Sequence, residues 1–403
     1  MAAKWRECKL GDFVALQRGH DLTEPERRPG SVPVFGAAGQ NGFHDTALAK
    51  GPGIVIGRSG ASFGQVHFSE RDYWPHNTGL YVTDFKGNDP RFAYYFLNAL
   101  DFNRYNSGSA QPSLNRNFIY PIPIRVPGPA EQLRIASVLG ALDDKIELNR
   151  RMNATLEAMA RAIFQSWFVD FDPVRAKLDG RQPPGLDPAT AALFPDHFQD
   201  SPLGPIPAGW RNCRLDELAD IVMGLSPPGD SYNTDGVGVP LINGPVEFGD
   251  FFPVKTKWTK DAIRLTSEGD LIFCVRGSTT GRRVVSDGEY CIGRGVCAIR
   301  AKGGFRSFVY QTINVGLDRL LEKTTGSVFP SLSAPDIKGF LVLEPSEKAM
   351  AAFEESTGAI LKRIAQNHLE SRTLATIRDT LLPKLLSGEL SVTKAEELAG
   401  AAT

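Results

Sequence analysis

The stretch Glu131–Phe168, EQLRIASVLGALDDKIELNRRMNATLEAMARAIFQSWF, contains no proline and one glycine, Gly140. Steps of alternately four and three residues along it meet mostly apolar side chains, as in the seam of a coiled coil. The seam residues are Ile135, Leu139, Leu142, Ile146, Asn149, Asn153, Leu156, Ala160, Ile163 and Trp167. The stretch therefore predicts one long helix that packs along a second helix.

The same seam returns 218 residues later, with its polar centre repeated. It runs through Phe353, Thr357, Ile360, Ile364, Asn367, Ser371, Leu374, Arg378, Leu381 and Leu385. Buried polar layers of this kind fix the register of paired helices. A helix of about 38 residues is about 57 Å long. A parallel pair would force the intervening chain to run back along that length, so antiparallel pairing is predicted.

The segments before the two helices also repeat, in the same order. WRECKL at 5–10 matches WRNCRL at 210–215, IVI at 54–56 before Arg58 matches LIF at 271–273 before Arg276, and GSxxPSL occurs at 108–114 and 326–332. The chain is therefore a tandem duplication, and the alignment makes Arg58 the counterpart of Arg276.

The duplication predicts an α+β protein in which two globular domains are separated by two long helices that form an antiparallel coiled coil with pseudo-two-fold symmetry. We expect the first globular domain at 1–128, the first spacer helix at 129–168, the second globular domain at 210–345 and the second spacer helix at 346–388. The connector at 169–209 holds many prolines and is expected to be extended. The tail at 389–403 is expected to be frayed.

Composition limits the possible functions. The net charge of −1 argues against a protein that coats nucleic acid by charge alone. No apolar run approaches the ~20 residues that span a bilayer, and Met1–Leu10 lacks the apolar run of a signal peptide, so a cytoplasmic location is expected. The five cysteines show no CxxC pairing. We therefore expect reduced thiols and no metal site.

Glycine-rich loops in both globular domains carry arginine together with short polar side chains. Forked donors, hydroxyls and close backbone approach are what contacts to base edges and phosphates need. The first-domain candidates are Arg58, Ser59, Ser62, Arg104, Asn115, Arg116 and Asn117, with the loop Asn106–Gln111. The second-domain candidates are Arg276, Ser278, Thr279, Thr280, Arg282, Arg283 and Arg294, with the loop Ser327–Ser333. Each loop alone could be an ordinary polar turn, but recurrence in both copies favours DNA contacts.

Two similar but non-identical domains on a helical spacer suit a target that is itself two separated pieces. B-DNA presents the same groove face every ~34–36 Å. Because the two domains differ in sequence, the pattern predicts an asymmetric, bipartite DNA site. The spacer of that site would be unread in sequence but fixed in length.

Three segments give the chain a resemblance to a known family. They are FQSWFVDFDPVRAK at Phe164–Lys177, GPIPAGW at Gly204–Trp210 and LLPKLLSGEL at Leu381–Leu390. With these segments the chain resembles the specificity subunits of type I restriction–modification systems over essentially its whole length.

The resemblance implies that the globular domains are target-recognition domains, each reading a half-site of roughly three to five base pairs of double-stranded DNA. It also implies assembly with two adenine-methyltransferase subunits and two ATP-dependent restriction subunits. S-adenosylmethionine, ATP and Mg²⁺ would be bound by those partners, with no cofactor on this chain and no membrane contact. The individual base contacts are not implied, because recognition domains diverge with their targets.

Three alternatives remain. The chain could be an enzyme acting alone, but Gly277–Arg283 ends in Gly-Arg-Arg where a phosphate-binding loop needs Gly-Lys-Ser/Thr. Ser226–Gly229 likewise lacks the asparagine and the aromatic residue of an adenine-methyltransferase motif. A second alternative is a coiled-coil scaffold whose globular domains bind protein. The third is the specificity subunit of an orphan methyltransferase without a nuclease.

Overall fold

The structure is a computed structural model and describes residues 5–108, 112–324 and 330–400. The chain forms two compact units, Met1–Leu148 with Glu370–Thr403 and Asn149–Leu369. Each unit contains one globular domain and one half of each long helix. The first unit is therefore built from two separate stretches of sequence, whereas the second unit is one continuous stretch.

The first globular domain is built from short strands and three short helices before the first long helix. Its strands are β1 Arg6–Lys9, β2 Ala15–Arg18, β3 Val32–Gly36, β4 Gly39–His44, β5 Gly53–Gly57, β6 Val66–Ser69, β7 Trp74–Pro75, β8 Gly79–Asp84 and β9 Pro123–Val126. Its helices are α1 Leu10–Phe13, α2 Pro90–Asn98 and α3 Arg116–Ile119, and the long helix α4 spans Pro129–Phe168.

Two sheets organise this domain. An antiparallel sheet has the strand order β2-β8-β5-β6, and a second sheet has the order β4-β3-β7. Every residue of β5 is buried, which explains why Ile54-Val55-Ile56 is continuously apolar rather than alternating. Helix α2 begins at the Asp89 N-cap, whose side chain accepts from the backbone N–H of Phe92. Phe92 and Phe96 of α2 then pack against Phe13 in the core.

The connector contains regular structure, contrary to the extended segment expected from its prolines. It forms helices α5 Asp172–Leu178 and α6 Pro188–Ala192 and strands β10 Phe198–Gln199 and β11 Ile206–Pro207. Pro173 and Pro188 lie in the first turns of α5 and α6, where proline favours a helix because its missing N–H has no intrahelical partner to lose. Trp210 packs near Phe168 and Phe194, so the connector covers an aromatic core.

The second globular domain repeats the first with more loop between its strands. Its strands are β12 Arg211–Arg214, β13 Ala219–Met223, β14 Tyr232–Asn233, β15 Val239–Ile242, β16 Trp258–Thr259, β17 Leu271–Cys274, β18 Arg283–Val285, β19 Cys291–Ile292, β20 Val296–Ala301 and β21 Leu341–Glu344. Its helices are α7 Leu215–Leu218, α8 Arg306–Val315, α9 Leu317–Leu321 and α10 Ala334–Lys338. The sheet order β13-β20-β17-β18 reproduces β2-β8-β5-β6.

The remaining helices are α11 Glu347–Ser387 and α12 Val392–Gly400. Within the first unit α4 and α11 are antiparallel, because Asp143 pairs with Arg378 while Lys145, further along α4, pairs with the earlier Glu370. Within the second unit the order is again reversed, since the side-chain amides of Asn149 and Asn153 reach the carbonyl oxygens of Asn367 and Ile364. The antiparallel coiled coil expected from the seam is therefore confirmed.

Most seam residues are buried. Less than a tenth of the surface is exposed for Ile135, Leu139, Leu142, Asn149, Asn153, Ala160, Trp167, Phe353, Thr357, Ile364, Asn367, Leu374, Leu381 and Leu385. Ile146, Leu156, Ile163 and Ile360 are partly buried against neighbouring apolar clusters.

The C-terminal tail differs from the expected frayed segment. Helix α12 buries Val392 and Ala395 in the same apolar core as Leu10 and Phe13 of the first domain. The tail carries these two apolar residues three positions apart, which places them on one face of a helix. The high alanine and glutamate content of the tail, which suggested disorder, is compatible with that helix because both residues have high helix propensity.

Candidate nucleic-acid interface

A polar groove of about 590 Å³ lies on the first globular domain. The segment after β5 and the segment before α3 form its floor, where Ser59 and Ser113 make an isolated bridge. The backbone N–H of Leu114 donates to the carbonyl of Arg58 over 2.8 Å. The side chains at the end of β2 form one wall. Its polar lining residues are Gln17, Arg18, His20, Arg58, Ser107, Ser113, Asn115, Arg116 and Asn117.

Among the described residues, three arginines and no carboxylate line this groove. Each guanidinium is held by one acceptor of the protein. Arg58 donates to the carbonyl of Asn77 over 3.3 Å, and Arg116 donates to the carbonyl of Leu16 over 2.9 Å. Arg18 lies 3.4 Å from Asp21. A guanidinium has five N–H donors, so each arginine keeps donors that can meet an anion or a base edge.

Asp21 and Asn77 connect two of these arginines. The side-chain amide of Asn77 donates to the same Asp21 oxygen that Arg18 approaches. The Asn77 carbonyl accepts from Arg58, and the Asn77 backbone N–H donates to the carbonyl of His20 over 2.9 Å. Arg18 and Arg58 are therefore oriented before any ligand arrives, as direct readout of bases requires.

The structure brings five predicted first-domain residues into this groove, namely Arg58, Asn115, Arg116, Asn117 and, from the loop Asn106–Gln111, Ser107. Asn115 also caps α3, since its side chain accepts from the Asn117 backbone N–H. Ser59 borders the groove through its bridge to Ser113, and Ser62 ends a short 3₁₀ turn beginning at Gly60.

Arg104 lies outside the groove lining. It occupies a 3₁₀ turn at Phe102–Tyr105, is exposed, and pairs with Asp101 over 3.1 Å. Of the predicted loop Asn106–Gln111, residues 109–111 lie outside the described part of the chain.

Sequence reasoning missed Gln17, Arg18 and His20, which line the groove at the end of β2. These residues follow no glycine-rich loop, so the search for loop chemistry did not select them. The duplication offered a signal for them, because these polar residues flank Gly19 whereas apolar residues flank the matching Gly224. The apolar residues are Val222, Met223 and Leu225.

In the second domain the hairpin between β17 and β18 takes the corresponding place. Arg276 makes an isolated bridge to Ser331, and the Gly277 backbone N–H donates to the carbonyl of Pro330 over 3.0 Å. The Thr280 hydroxyl donates to the carbonyls of Gly277 and Pro330. The hairpin also contains Ser278 and Thr279. Of the predicted loop Ser327–Ser333, residues 327–329 lie outside the described residues.

The hydrogen bonds show that Arg58 is not the structural counterpart of Arg276. The Leu114 N–H donates to Arg58 in the first domain, and the matching Leu332 N–H donates to Val275 in the second. Ser59, which bridges Ser113, therefore corresponds to Arg276, which bridges Ser331. The alignment expected from sequence was wrong by one residue. Both domains have an arginine next to a glycine here, but Arg58 precedes the bridging residue whereas Arg276 is the bridging residue.

Three second-domain candidates lie apart from this bridge. Arg283 is partly buried beside Tyr310. It donates to the side-chain oxygen of Asn314 over 2.5 Å and to the carbonyl of Gly281 over 2.9 Å. Burial lowers the pKa of Arg283 from its usual value. Arg282 is exposed and lines a recess shared with Glu157 and Arg283.

Arg294 is exposed on the loop before β20, and its backbone N–H donates to the Ser226 hydroxyl over 3.2 Å. The backbone N–H of Arg58 donates to the carbonyl of Thr78, and the matching N–H of Val275 donates to the carbonyl of Gly295. Thr78 therefore corresponds to Gly295, and the residues before them, Asn77 and Arg294, correspond to each other.

Two acidic residues of α4 have partners that the sequence did not indicate. Asp143 and Asp144 are adjacent acidic residues in the middle of the helical stretch, where sequence alone favours charges exposed to solvent. Asp143 instead accepts from the hydroxyl of Tyr95 and from Arg378, both on neighbouring elements of the first unit, and Asp144 pairs with Arg91. These carboxylates hold the first domain on the helices. No cluster of three or more potential metal ligands occurs among the described residues, and no described helix is long and apolar enough to cross a membrane.

Comparisons with known proteins show what the chain is similar to. Residues 3–158 match the family model described as "Type I restriction modification DNA specificity domain". The chain is 24% identical over 398 residues to the type I restriction enzyme MjaIX specificity subunit of Methanocaldococcus jannaschii, covering 94% of this chain and 84% of that protein. It is also 24% identical over 343 residues to the HindI specificity subunit of Haemophilus influenzae, covering 69% of this chain and 71% of that protein.

A solved structure supports the fold. The S subunit of a type I restriction–modification system from M. genitalium superposes with a TM-score of 0.61 at 17% identity, covering 95% of this chain and 96% of that chain. The first copy of the duplication is thus similar to the family of type I restriction–modification DNA specificity domains. The resemblance to specificity subunits of these systems, which the sequence motifs indicated, is confirmed.

Proposed function

We propose that this chain is the DNA sequence-specificity subunit of a type I restriction–modification complex. The observation that carries the proposal is the groove of the first domain, whose described lining includes Arg18, Arg58 and Arg116 and no carboxylate. Duplex DNA offers phosphate oxygens and base-edge acceptors that oriented guanidinium groups bind well. This groove lies in the part of the chain that matches the DNA specificity family.

The site read by the chain is bipartite and asymmetric. Each globular domain reads one half-site, because the duplication supplies two surfaces of the same topology. The half-sites differ because the residues on these surfaces differ. Helices α4 and α11 set the length of the unread spacer between them.

The chain selects the site and leaves the chemistry to its partners. Two methyltransferase subunits bind S-adenosylmethionine and flip an adenine out of each half-site, since a stacked base cannot enter a catalytic pocket. Two restriction subunits with ATP and Mg²⁺ join for cleavage. The methylation state of the adenines then selects between maintenance methylation and cutting.

The proposal is tested by single-molecule sequencing for N6-methyladenine in cells that express this chain with its neighbouring methyltransferase. The expected result is one bipartite, asymmetric motif that disappears when the gene for this chain is deleted. A motif that survives the deletion, or no motif beside an active methyltransferase, would contradict the proposal and favour a scaffold whose domains bind protein.

Two further arms separate the remaining alternatives. Binding to DNA that depends on phosphate contacts weakens steeply with salt, whereas a protein scaffold shows no salt-sensitive DNA binding. Restriction of unmodified phage in the same cells distinguishes a complete restriction system from an orphan methyltransferase.

A further inference from the structure

The two domains carry opposite chemistry over one equivalent segment of their recognition surfaces, polar in the first domain and apolar in the second. Gly19 and Gly224 fix the alignment, because each donates its backbone N–H over 3.0 Å to the neighbouring strand, at Gly79 in the first domain and at Val296 in the second. The polar side chains Gln17, Arg18 and His20 thus correspond to Val222, Met223 and Leu225.

The residues around this segment are also more polar or charged in the first domain than in the second. Arg58, which donates to Asn77 beside Arg18 in the first domain, is replaced by the fully buried Val275. Asp21, which orients Arg18, is replaced by Ser226 according to the same 205-residue offset. The second domain retains positive charge nearby at Arg276 and Arg294, so both surfaces remain suited to DNA.

The exposed side chains of this segment suit different bases in the two domains. The Arg18 side chain is 56% exposed, and its Nη2 lies 3.4 Å from the carboxylate of Asp21. Its other N–H donors can therefore meet the O6 and N7 acceptors of guanine. Leu225 is 43% exposed although it is a large apolar residue. In the major groove the apolar feature available to such a side chain is the C5-methyl group of thymine.

We infer that Arg18 makes the first half-site require guanine at one position, and that Leu225, the counterpart of His20, makes the second half-site prefer thymine at one position. This inference rests on the proposed function. It assigns base identity to the end of β2 and of β13, rather than to the glycine-rich loops alone.

The test uses the complex of this chain with its methyltransferase subunits and duplexes that contain the methylated motif. Guanines of the first half-site are replaced one at a time by 7-deazaguanine, which lacks the N7 acceptor. Thymines of the second half-site are replaced one at a time by deoxyuridine, which lacks the C5-methyl group. At one guanine we expect binding to weaken about 10-fold, and at one thymine about 4-fold, the effect of one buried methyl group.

Substitutions then connect these effects to residues. In R18M, which introduces the second domain's residue, the 7-deazaguanine penalty should vanish while the second half-site remains unchanged. R104A removes an arginine of the same domain outside the groove and should keep the full penalty. In L225A the deoxyuridine penalty should vanish. Arg18 and Leu225 are both exposed, so these variants should fold.

Several outcomes would overturn the inference while the proposed function stands. One is a bipartite motif without guanine in the first half-site. Another is a loss in R18M that is equal for all DNA sequences and is restored in R18K, which would make Arg18 a phosphate contact. A third is a second half-site that does not respond to deoxyuridine. Absence of any sequence-dependent DNA binding by the complex would instead contradict the proposed function itself.

Discussion

The side-chain amide of Asn367 donates a hydrogen bond to Oδ1 of Asn153, 2.8 Å away, in the buried seam between α4 and α11. Asn153 is 5% exposed and Asn367 is 1% exposed. This pair fixes the mutual register of the two helices, because any sliding of one helix would bury the amides against apolar neighbours.

Replacing one member of this pair should cost more than replacing both. N153L removes the acceptor while the Asn367 amide remains buried, and we expect a loss of about 1–3 kcal/mol in unfolding free energy. The double variant N153L/N367L should recover much of that loss, since an apolar pair can replace a buried polar pair. Urea unfolding of the four proteins of this cycle measures the coupling, and additive losses would show that the hydrogen bond does not contribute.

Removing the partner of a buried carboxylate should destabilise the second globular domain. Arg300 donates from Nε and Nη2 to the two oxygens of Asp270 over 2.9 and 2.8 Å, and Asp270 is 2% exposed. In R300L we expect a loss of about 1–3 kcal/mol, below the range for fully buried pairs because Arg300 is partly exposed. R300K, which keeps the charge without the fork, should lose less. Equal unfolding curves for all three proteins would contradict this role.

Native thiols should react slowly. Burial raises the pKa of Cys213 and of Cys297 to about 12, so near pH 8 almost none of either thiol is the reactive thiolate. Cys274 and Cys291 are also fully buried, while Cys8 is partly exposed. We expect a disulfide reagent at pH 8 to modify at most one thiol in the native protein and all five in guanidinium. C8S should then show no fast reaction, and rapid labelling of C8S would reveal opening of the second domain.

Loop arginines should act on one half-site each. R58A should weaken discrimination in the first half-site by about 1–3 kcal/mol, and R276A should do so in the second. Competition between the full site and duplexes altered in one half-site measures this. If either substitution reduced binding to all duplexes alike, the arginine would be a phosphate contact.

Shortening the helices should shorten the unread spacer. One heptad is about 10.5 Å of helix, which corresponds to about three base pairs of duplex at ~3.4 Å each. Removing seven residues from α4 and the facing seven from α11 should therefore change the preferred spacer, as read from the methylated motif. An unchanged spacer would show that these helices do not measure the distance between half-sites.

The paired long helices and the two duplicated domains could be predicted from sequence, because periodic and repeated sequence patterns specify them. The heptad spacing of α4 extends over many turns, and its recurrence in α11 left little ambiguity. The connector and the tail were predicted poorly for local reasons. Pro173 and Pro188 start helices there, and Val392 with Ala395 gains a buried face that only tertiary packing provides.

The candidate site was predicted only in part, since its residues meet through sheet pairing. Arg58 and Arg116 carried a visible loop signal, whereas Arg18 lies at the end of an ordinary short strand. The one-residue shift between Arg58 and Arg276 could not be seen in sequence, because the bridge to Ser113 or Ser331 decides which residue faces which.

The first unit joins residues up to Leu148 to residues from Glu370 onward, and this has a consequence for the nascent chain. Leu374, Leu381, Leu385 and Val392 belong to the core that also contains Leu10. At ribosomal rates of ~5–20 residues per second, roughly 10–40 s pass between synthesis of the two parts. During that interval the first domain exposes apolar surface that its own sequence cannot cover, so we expect it to depend on chaperones until the residues from Glu370 to Val392 have been synthesised.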